Sequence, residues 1–210
     1  MHHTLRKIVI AGGSGFIGKL LAEHFSKTSQ VVVLSRTTKP EHDNIRTIQW
    51  NGRDLGHWRS ELEGAFALVN LTGKNVNCRY TPQNKKEILE SRLLSTKVLG
   101  NAVTTLKDPP KVWIQMSSAT IYKHSIDKPN DETFGEIGSD FSMDVCRDWE
   151  RTFNDLPLNG VRRVIMRTSI VMGKEGGALR ALRNLVKFGL GGRQQPDGEL
   201  GARRRYYRYC

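Results

Sequence analysis

Lys7-Ile8-Val9-Ile10-Ala11-Gly12-Gly13-Ser14-Gly15-Phe16-Ile17-Gly18 is an apolar run that breaks into glycine and resumes as a helical pattern. Residues 7–11 hold no polar position after Lys7, as in a strand buried on both faces. The glycines fall at 12, 13, 15 and 18, so two spacings overlap, GxxGxxG and GxGxxG. A strand that turns at once into a helix needs backbone conformations that side chains disfavour, and a Cβ there would hold a pyrophosphate off the backbone. The helix N-terminal N–H groups and dipole then favour an anion. The expectation is a dinucleotide site built from Gly12, Gly13, Ser14, Gly15, Phe16, Ile17 and Gly18, with Phe16 and Ile17 anchoring the turn in the core. The competing reading is an ordinary glycine-rich turn. A lone glycine pattern is weak, but its place between an apolar strand and an amphipathic helix is specific.

Outward from this corner, apolar β-branched runs alternate with helical-period stretches. Strands are expected at 7–11, 31–35, 45–49, 66–71, 112–117 and 161–167. Helices are expected at 15–27, 82–106, 139–155 and 177–188. In the second helix, Ile88, Leu89, Leu93, Leu94, Val98 and Leu99 recur at the spacing of one buried face. Pro109-Pro110 stops the chain before the next strand. Alternating strands and helices predict an α/β fold, a Rossmann-type doubly wound parallel sheet.

The second strand ends in Ser35-Arg36, with Lys39 close behind. An acid at this point would hold ribose hydroxyls; a serine hydroxyl and a guanidinium suit a 2′-phosphate instead. The expected cofactor is therefore NADP(H), with Ser35 and Arg36 as binding residues, against the alternative that Arg36 is merely exposed.

Composition bounds the partners. Net charge is +12, but four of the 33 basic residues stand in the last ten, without which it falls to +8. No stacking platform or groove-reading motif accompanies the charge, so the expectation is a small-molecule substrate and no nucleic acid. No apolar run approaches the ~20 residues that span a bilayer, and residues 1–7 do not lay out a secretory signal. Cys78, Cys146 and Cys210 are widely spaced, which suggests neither a disulfide framework nor a zinc site. His24, His42, His57 and His124 lack ligand spacing, so no metal is expected. A cytoplasmic location is expected, and the oligomeric state is left open.

Further segments carry a resemblance. They are Asn70-Leu71-Thr72-Gly73, Ser91-Arg92, Ser118-Ala119-Thr120-Ile121-Tyr122, Cys146-Arg147-Asp148-Trp149-Glu150, Arg167-Thr168, Gly173 and Gly176-Gly177-Ala178-Leu179. With the glycine corner, they resemble the extended short-chain dehydrogenase/reductases. The nearest branch is the atypical "epimerase family" of sugar-nucleotide-epimerase-like, NADP-binding proteins. The resemblance spans about residues 6–192. It implies that Leu71, Thr72 and Gly73 lie beside the adenosine half of the cofactor. It also implies a small C-terminal substrate lobe that the residues from about 193 do not match. Residues 1–192 are therefore read as the NAD(P)-binding domain. Residues 193–210 are read as an atypical basic tail, truncated or frame-shifted in place of that lobe, or else simply disordered.

The resemblance further implies a serine, a tyrosine and a lysine that orient a substrate oxygen, move its proton and tune that proton's acidity. Ser118 matches the serine. Where Tyr-x-x-x-Lys should fall, the chain reads Phe141-Ser142-Met143-Asp144-Val145. Phenylalanine has no proton to transfer and valine no charge to tune one. Tyr122 is the remaining phenol, either catalytic or lining a pocket. Cys146 would react only with a depressed pKa; the competing reading is a buried structural thiol. Three functions stay open: an NADP(H)-dependent oxidoreductase or epimerase acting on a hydroxyl or carbonyl through Ser118 and Tyr122, a non-catalytic NADPH-binding redox sensor or scaffold, and a partial product that folds poorly.

Overall fold

Neighbouring residues of the central strands face opposite helix layers. Val9, Val32, Leu34, Leu68 and Trp113 pack on one side of the sheet, and Ile8, Ile10, Val31, Val33 and Val69 on the other. That is why the strands read as unbroken apolar runs: no face of the sheet's centre meets water. The structure, a computed structural model, describes residues 5–125, 128–173, 176–177, 183–184 and 186–188. The chain falls into two compact units, Met1–Ser169 and Ile170–Cys210.

In the first unit, β1 (Arg6–Ala11) leads into α1 (Phe16–Phe25), β2 (Ser29–Ser35), β3 (Ile45–Gln49) and a 3₁₀ turn at His57–Leu62. There follow β4 (Ala67–Asn70), α2 (Pro82–Val103), β5 (Val112–Ser118), α3 (Phe141–Asn154) and β6 (Arg162–Thr168). All six strands are parallel, in the order β3-β2-β1-β4-β5-β6. This is the expected Rossmann-type α/β sheet. The order reverses between β1 and β4, so the crevice at their C-terminal ends is where the fold presents a ligand.

One face buries Val98, Leu99, Ala102 and Val103 of α2, Phe153 of α3, and Trp58 and Leu62 of the 3₁₀ turn. Trp113 of β5 meets Phe153 edge to face, centroids 5.1 Å apart. The other face takes α1 through Ala22, Leu21 and Phe25. The longer helices start where the chain supplies a cap. Thr81 Oγ1 accepts from the N–H of Asn84 at 3.2 Å, with Pro82 in the first turn, and Asp140 Oδ1 accepts from that of Met143 at 2.8 Å.

The expected elements of this unit are all present, with ends moved by up to three residues. The helix expected at 82–106 stops at Val103, where Thr104 caps it. The 3₁₀ turn has no periodic signal in the sequence and is held by burial of Trp58 and Leu62. In the second unit, Met172–Gly173 pairs antiparallel with Gly176–Gly177, so Gly177 is strand rather than the start of a helix. Much of the helix expected at 177–188, and the domain boundary expected at 192, lie outside the described residues.

Packing of α1 onto the sheet demands a bare backbone at Gly18. A Cβ there would stand 2.4 Å from Gly13 Cα and 2.7 Å from its carbonyl carbon. Helix propensity alone predicts that Gly18→Ala stabilises by about 1 kcal/mol. A backbone collision cannot be relieved by a rotamer change, so the expected result is instead a loss of roughly 3 kcal/mol. Urea denaturation decides between them: any gain in stability would show that the corner yields.

Candidate functional site

The corner between β1 and α1 is built from four glycines with two different reasons for being glycine. Gly12 has φ +75°, and a Cβ on it would press within 3.0 Å of Leu71 C and Thr72 N. Its N–H donates to Leu34 O at 3.0 Å. A Cβ on Gly13 would lie 2.9 Å from Val33 Cγ1. With Gly18, these positions are bare because the protein itself crowds them. Gly15 differs. Its Cβ would meet only Gly12 O, at 3.5 Å, so packing makes no demand for glycine there.

Gly15 is also the N-cap of α1, with no side-chain capping bond and no acid in the first turn. The positive end of that helix therefore faces the crevice uncompensated. Ser14 is exposed beside it, while Phe16 and Ile17 are half-buried and stand outside both core clusters. The anchoring expected of them is only partial, because the two cores close around Ala11 and Ala22 instead.

A cleft of about 800 Å³ opens over this corner. Gly12, Ser14 and Gly15 line it from β1–α1, and Leu34, Ser35 and Arg36 from the end of β2. Trp50 and residues 51–53 close it after β3, and residues 71–75 after β4. The outer face of α2 supplies Gln83, Lys86, Glu87, Glu90, Ser91 and Leu94. The cofactor-binding residues expected from sequence thus fall around one cavity, apart from Gly13, Phe16, Ile17 and Gly18, which do not line it. Lys39 does not line it. Trp50 is buried and packs edge to face on Trp58, centroids 5.1 Å apart.

The 71–74 loop is held from below. Asn70 is fully buried; its Oδ1 accepts from the N–H of Thr72 at 3.1 Å. Its Nδ2 donates to Gln115 Oε1 at 3.1 Å and Thr96 Oγ1 at 3.3 Å. Thr96 Oγ1 also accepts from Trp149 Nε1 at 3.0 Å. The Ser91-Arg92 pair has a mechanical reading that sequence did not supply. Ser91 Oγ accepts from the N–H of Lys74 at 2.8 Å, and Arg92 donates to Lys74 O at 3.2 Å. Arg92 packs over the Trp149 ring at 5.1 Å, and burial lowers its pKa. Thr72 Oγ1 is buried and has no hydrogen-bond partner among the described residues. An undemanded glycine at the cleft floor, beside the uncapped start of α1, fits an anionic ligand there.

Ser118 and Tyr122 stand at the end of β5, beyond β4, and neither lines the cleft. Ser118 Oγ caps the 3₁₀ turn Ala119–Ile121, accepting from the N–H of Thr120 at 3.2 Å and lying 2.8 Å from its Oγ1. Tyr122 Oη accepts from Arg167 at 2.6 Å. Arg167 in turn forks onto Glu150, at 2.9 and 2.8 Å, and Ser117 Oγ donates to the same carboxylate at 2.5 Å. Glu150 is buried, and its contact raises the Arg167 pKa well above the ordinary arginine value. This Ser117–Glu150–Arg167–Tyr122 network was missed as a unit. Its members lie on β5, α3, β6 and the turn after β5, and only the fold assembles them.

Phe141 begins α3, and Val145 is buried one turn on. Tyr80 lies edge-on to Phe141 at 5.4 Å, and Lys85 Nζ stands 5.0 Å over its ring. Cys146 is buried, and burial pushes its thiol pKa up against the pull of Arg92. That disfavours a thiolate and matches a structural cysteine. Among the described residues no three His, Cys, Asp or Glu side chains gather as metal ligands, and no helix is long and apolar enough to cross a membrane.

Fold and crevice define a Rossmann-type α/β protein. Residues 8–140 match the model of the NAD dependent epimerase/dehydratase family, and the chain belongs to that family. It is 29% identical over 191 residues to the epimerase family protein SH2119 of Staphylococcus haemolyticus, covering 90% of this chain and 63% of that protein. It is 30% identical over 190 residues to human epimerase family protein SDR39U1, covering 89% and 61%. The chain thus spans about three-fifths of the curated relatives it matches. The crystal structure of human SDR39U1 (isoform 2) with NADPH superposes with a TM-score of 0.75 at 31% identity, over 89% of this chain and 61% of that one. The nucleoside-diphosphate sugar epimerase of Corynebacterium glutamicum gives 0.71 at 27%, over 91% and 39%.

Removing Glu150 would leave the Arg167 charge uncompensated in a site where side-chain exposure is 20% for the arginine and 9% for the acid. Glu150→Ala is expected to cost about 3 kcal/mol, read as a lowered urea midpoint. A loss under ~1 kcal/mol, the value of a surface pair, would show that the network adds no more than surface charges do.

Proposed function

We propose that the chain binds NADP(H) in the cleft and serves an oxidoreductase or epimerase reaction at a hydroxyl or carbonyl carbon of a small-molecule substrate. The observation that carries this reading is Gly15, a glycine that protein packing does not require, at the uncapped start of α1. A diphosphate resting on that backbone accounts for both features. The bare positions 12, 13 and 18 keep the corner tight enough to present the N–H groups. Ser35 and Arg36 favour a 2′-phosphate over free ribose hydroxyls. Leu71, Thr72 and Gly73 would face the adenosine half. NADPH in the human relative's crystal structure supports the same cofactor, and the Corynebacterium glutamicum neighbour, a nucleoside-diphosphate sugar epimerase, supports a nucleotide sugar as the substrate class. We assign the protein to the cytoplasm, a reducing compartment in which Cys78 and Cys146 persist as free thiols.

When bound, NADP(H) supplies or accepts the hydride. Ser118, at the C-terminal edge of β5, would orient the substrate oxygen. Tyr122 would pass it a proton: its oxygen already accepts from Arg167, which leaves its own O–H free to donate. A second reading is favoured by the same contacts. With Tyr122 engaged by Arg167 and Ser118 capping a turn, the chain would hold NADPH without turnover, as a redox sensor or scaffold.

Fluorescence titration should give tighter binding of NADPH than of NADH, and Gly15→Asp should abolish both while the thermal midpoint holds. Equal affinities would remove the Arg36 assignment, and a Gly15→Asp variant that still binds would sink the cradle. With a nucleotide-sugar panel and absorbance at the nicotinamide band, Ser118→Ala should cut turnover about 100-fold at unchanged NADPH affinity. No turnover in the unaltered chain, with NADPH bound, selects the second reading.

A further inference from the structure

The cleft carries a cation that neither the glycine corner nor the end of β2 accounts for. Four basic side chains line it: Arg36, Arg53, Lys74 and Lys86. Lys74 is committed to Glu87 at 2.5 Å and Asn84 at 2.7 Å. Lys86 faces Glu90 one turn along α2, at 3.8 Å. The guanidinium groups of Arg36 and Arg53 make no hydrogen bond and no ion pair among the described residues; only their backbone atoms are engaged.

The acids that stand near Arg53 are occupied elsewhere. Asp54 accepts from Asn51 Nδ2 at 2.8 Å. Glu87 takes Lys74 and Gln83, both at 2.5 Å, and those bonds hold its carboxyl below the usual carboxylate range, with a smaller contribution from the Arg53 charge. Asn51 Oδ1 accepts from the N–H groups of Arg53 and Asp54 at 2.9 and 3.0 Å, and Gly52 turns the chain with φ +73°. A tight turn thus presents Arg53 to the cavity from one element while Arg36 reaches it from another.

The geometry points to Arg53 as a second specificity-determining residue, clamping together with Arg36 a phosphate monoester on the adenosine ribose, the 2′-phosphate of NADP(H). This rests on the proposal that the cleft takes that dinucleotide. A phosphate monoester carries about −1.5 to −2 near neutral pH. One guanidinium neutralises only part of it, and a second supplies the balance while offering another planar fork of donors. Free ribose hydroxyls, as in NAD(H), gain little from paired cations. Arg53 therefore acts on the choice between the two cofactors rather than on binding of the shared diphosphate.

The test titrates the full chain and its Arg53→Gln, Arg36→Gln and Arg59→Gln variants with NADPH, NADH, 2′,5′-ADP and ADP. Arg59 is exposed and outside the cleft, so its loss removes the same charge elsewhere. Arg53→Gln is expected to weaken 2′,5′-ADP and NADPH roughly tenfold or more, leaving ADP and NADH as in the unaltered chain. Arg59→Gln should leave all four unchanged. If Arg53→Gln binds 2′,5′-ADP normally while Arg36→Gln erases the NADPH preference, the clamp is overturned and the dinucleotide reading stands. Equal losses for ADP and 2′,5′-ADP in Arg53→Gln also overturn it. An unaltered chain that binds none of the four overturns both.

Discussion

Backbone packed against backbone at the end of β1 is the constraint from which the rest of the molecule follows. Gly18 of α1 lies on Gly13, and Gly12 lies on the chain leaving β4, with no room for a Cβ at any of the three. These contacts set how closely α1 approaches the sheet and how β4 leaves it. They therefore fix the width of the crevice at the β1/β4 switch point. Gly15 sits in the middle of that arrangement without being crowded, its N–H turned back onto Gly12 O at 3.2 Å, so the tightness of its neighbours is what keeps the start of the helix open.

The second determinant is polar and buried. Asn70, Thr96, Gln115 and Trp149 link the centre of the sheet to α2 and α3 through hydrogen bonds that water does not reach. Such groups are costly unless satisfied, so they specify one relative placement of the elements they join. Here that placement carries the 71–74 loop, through Asn70 Oδ1 beneath it and Ser91 and Arg92 beside it. The Glu150–Arg167 fork does the same for the end of β5, and Ser118 and Tyr122 stand on the part of the chain it steadies. One end of the sheet thus has two separately braced rims, a glycine-lined rim over β1–β4 and a polar rim over β5–β6.

The apolar runs at 31–34 and 8–10 were legible as strands because burial on both faces leaves a pattern that needs no knowledge of the partner. The glycine corner was legible because a chemical demand on the backbone appears directly as residue type. Helix ends were less so: α2 stops at Val103 although the apolar spacing runs on to Leu106, since a cap ends a helix and periodicity does not. The 3₁₀ turn at 57–62 left no trace beyond Trp58 and Leu62, whose burial depends on α2 lying above them.

By itself the sequence determined the sheet's layers, the position of the crevice along the chain and the bare backbone at its floor, all of which are local consequences of apolar period and missing side chains. The family resemblance rested on the glycine corner together with scattered segments such as 70–73, Ser91-Arg92 and 118–122. Only the tertiary structure decided which charges face the cavity and which are spent on neighbours, that Lys39 stays off the cleft and Arg53 joins it, and that Tyr122 meets Arg167. Those outcomes depend on contacts between residues tens of positions apart, and the free energy of a charge is set by what stands beside it in space.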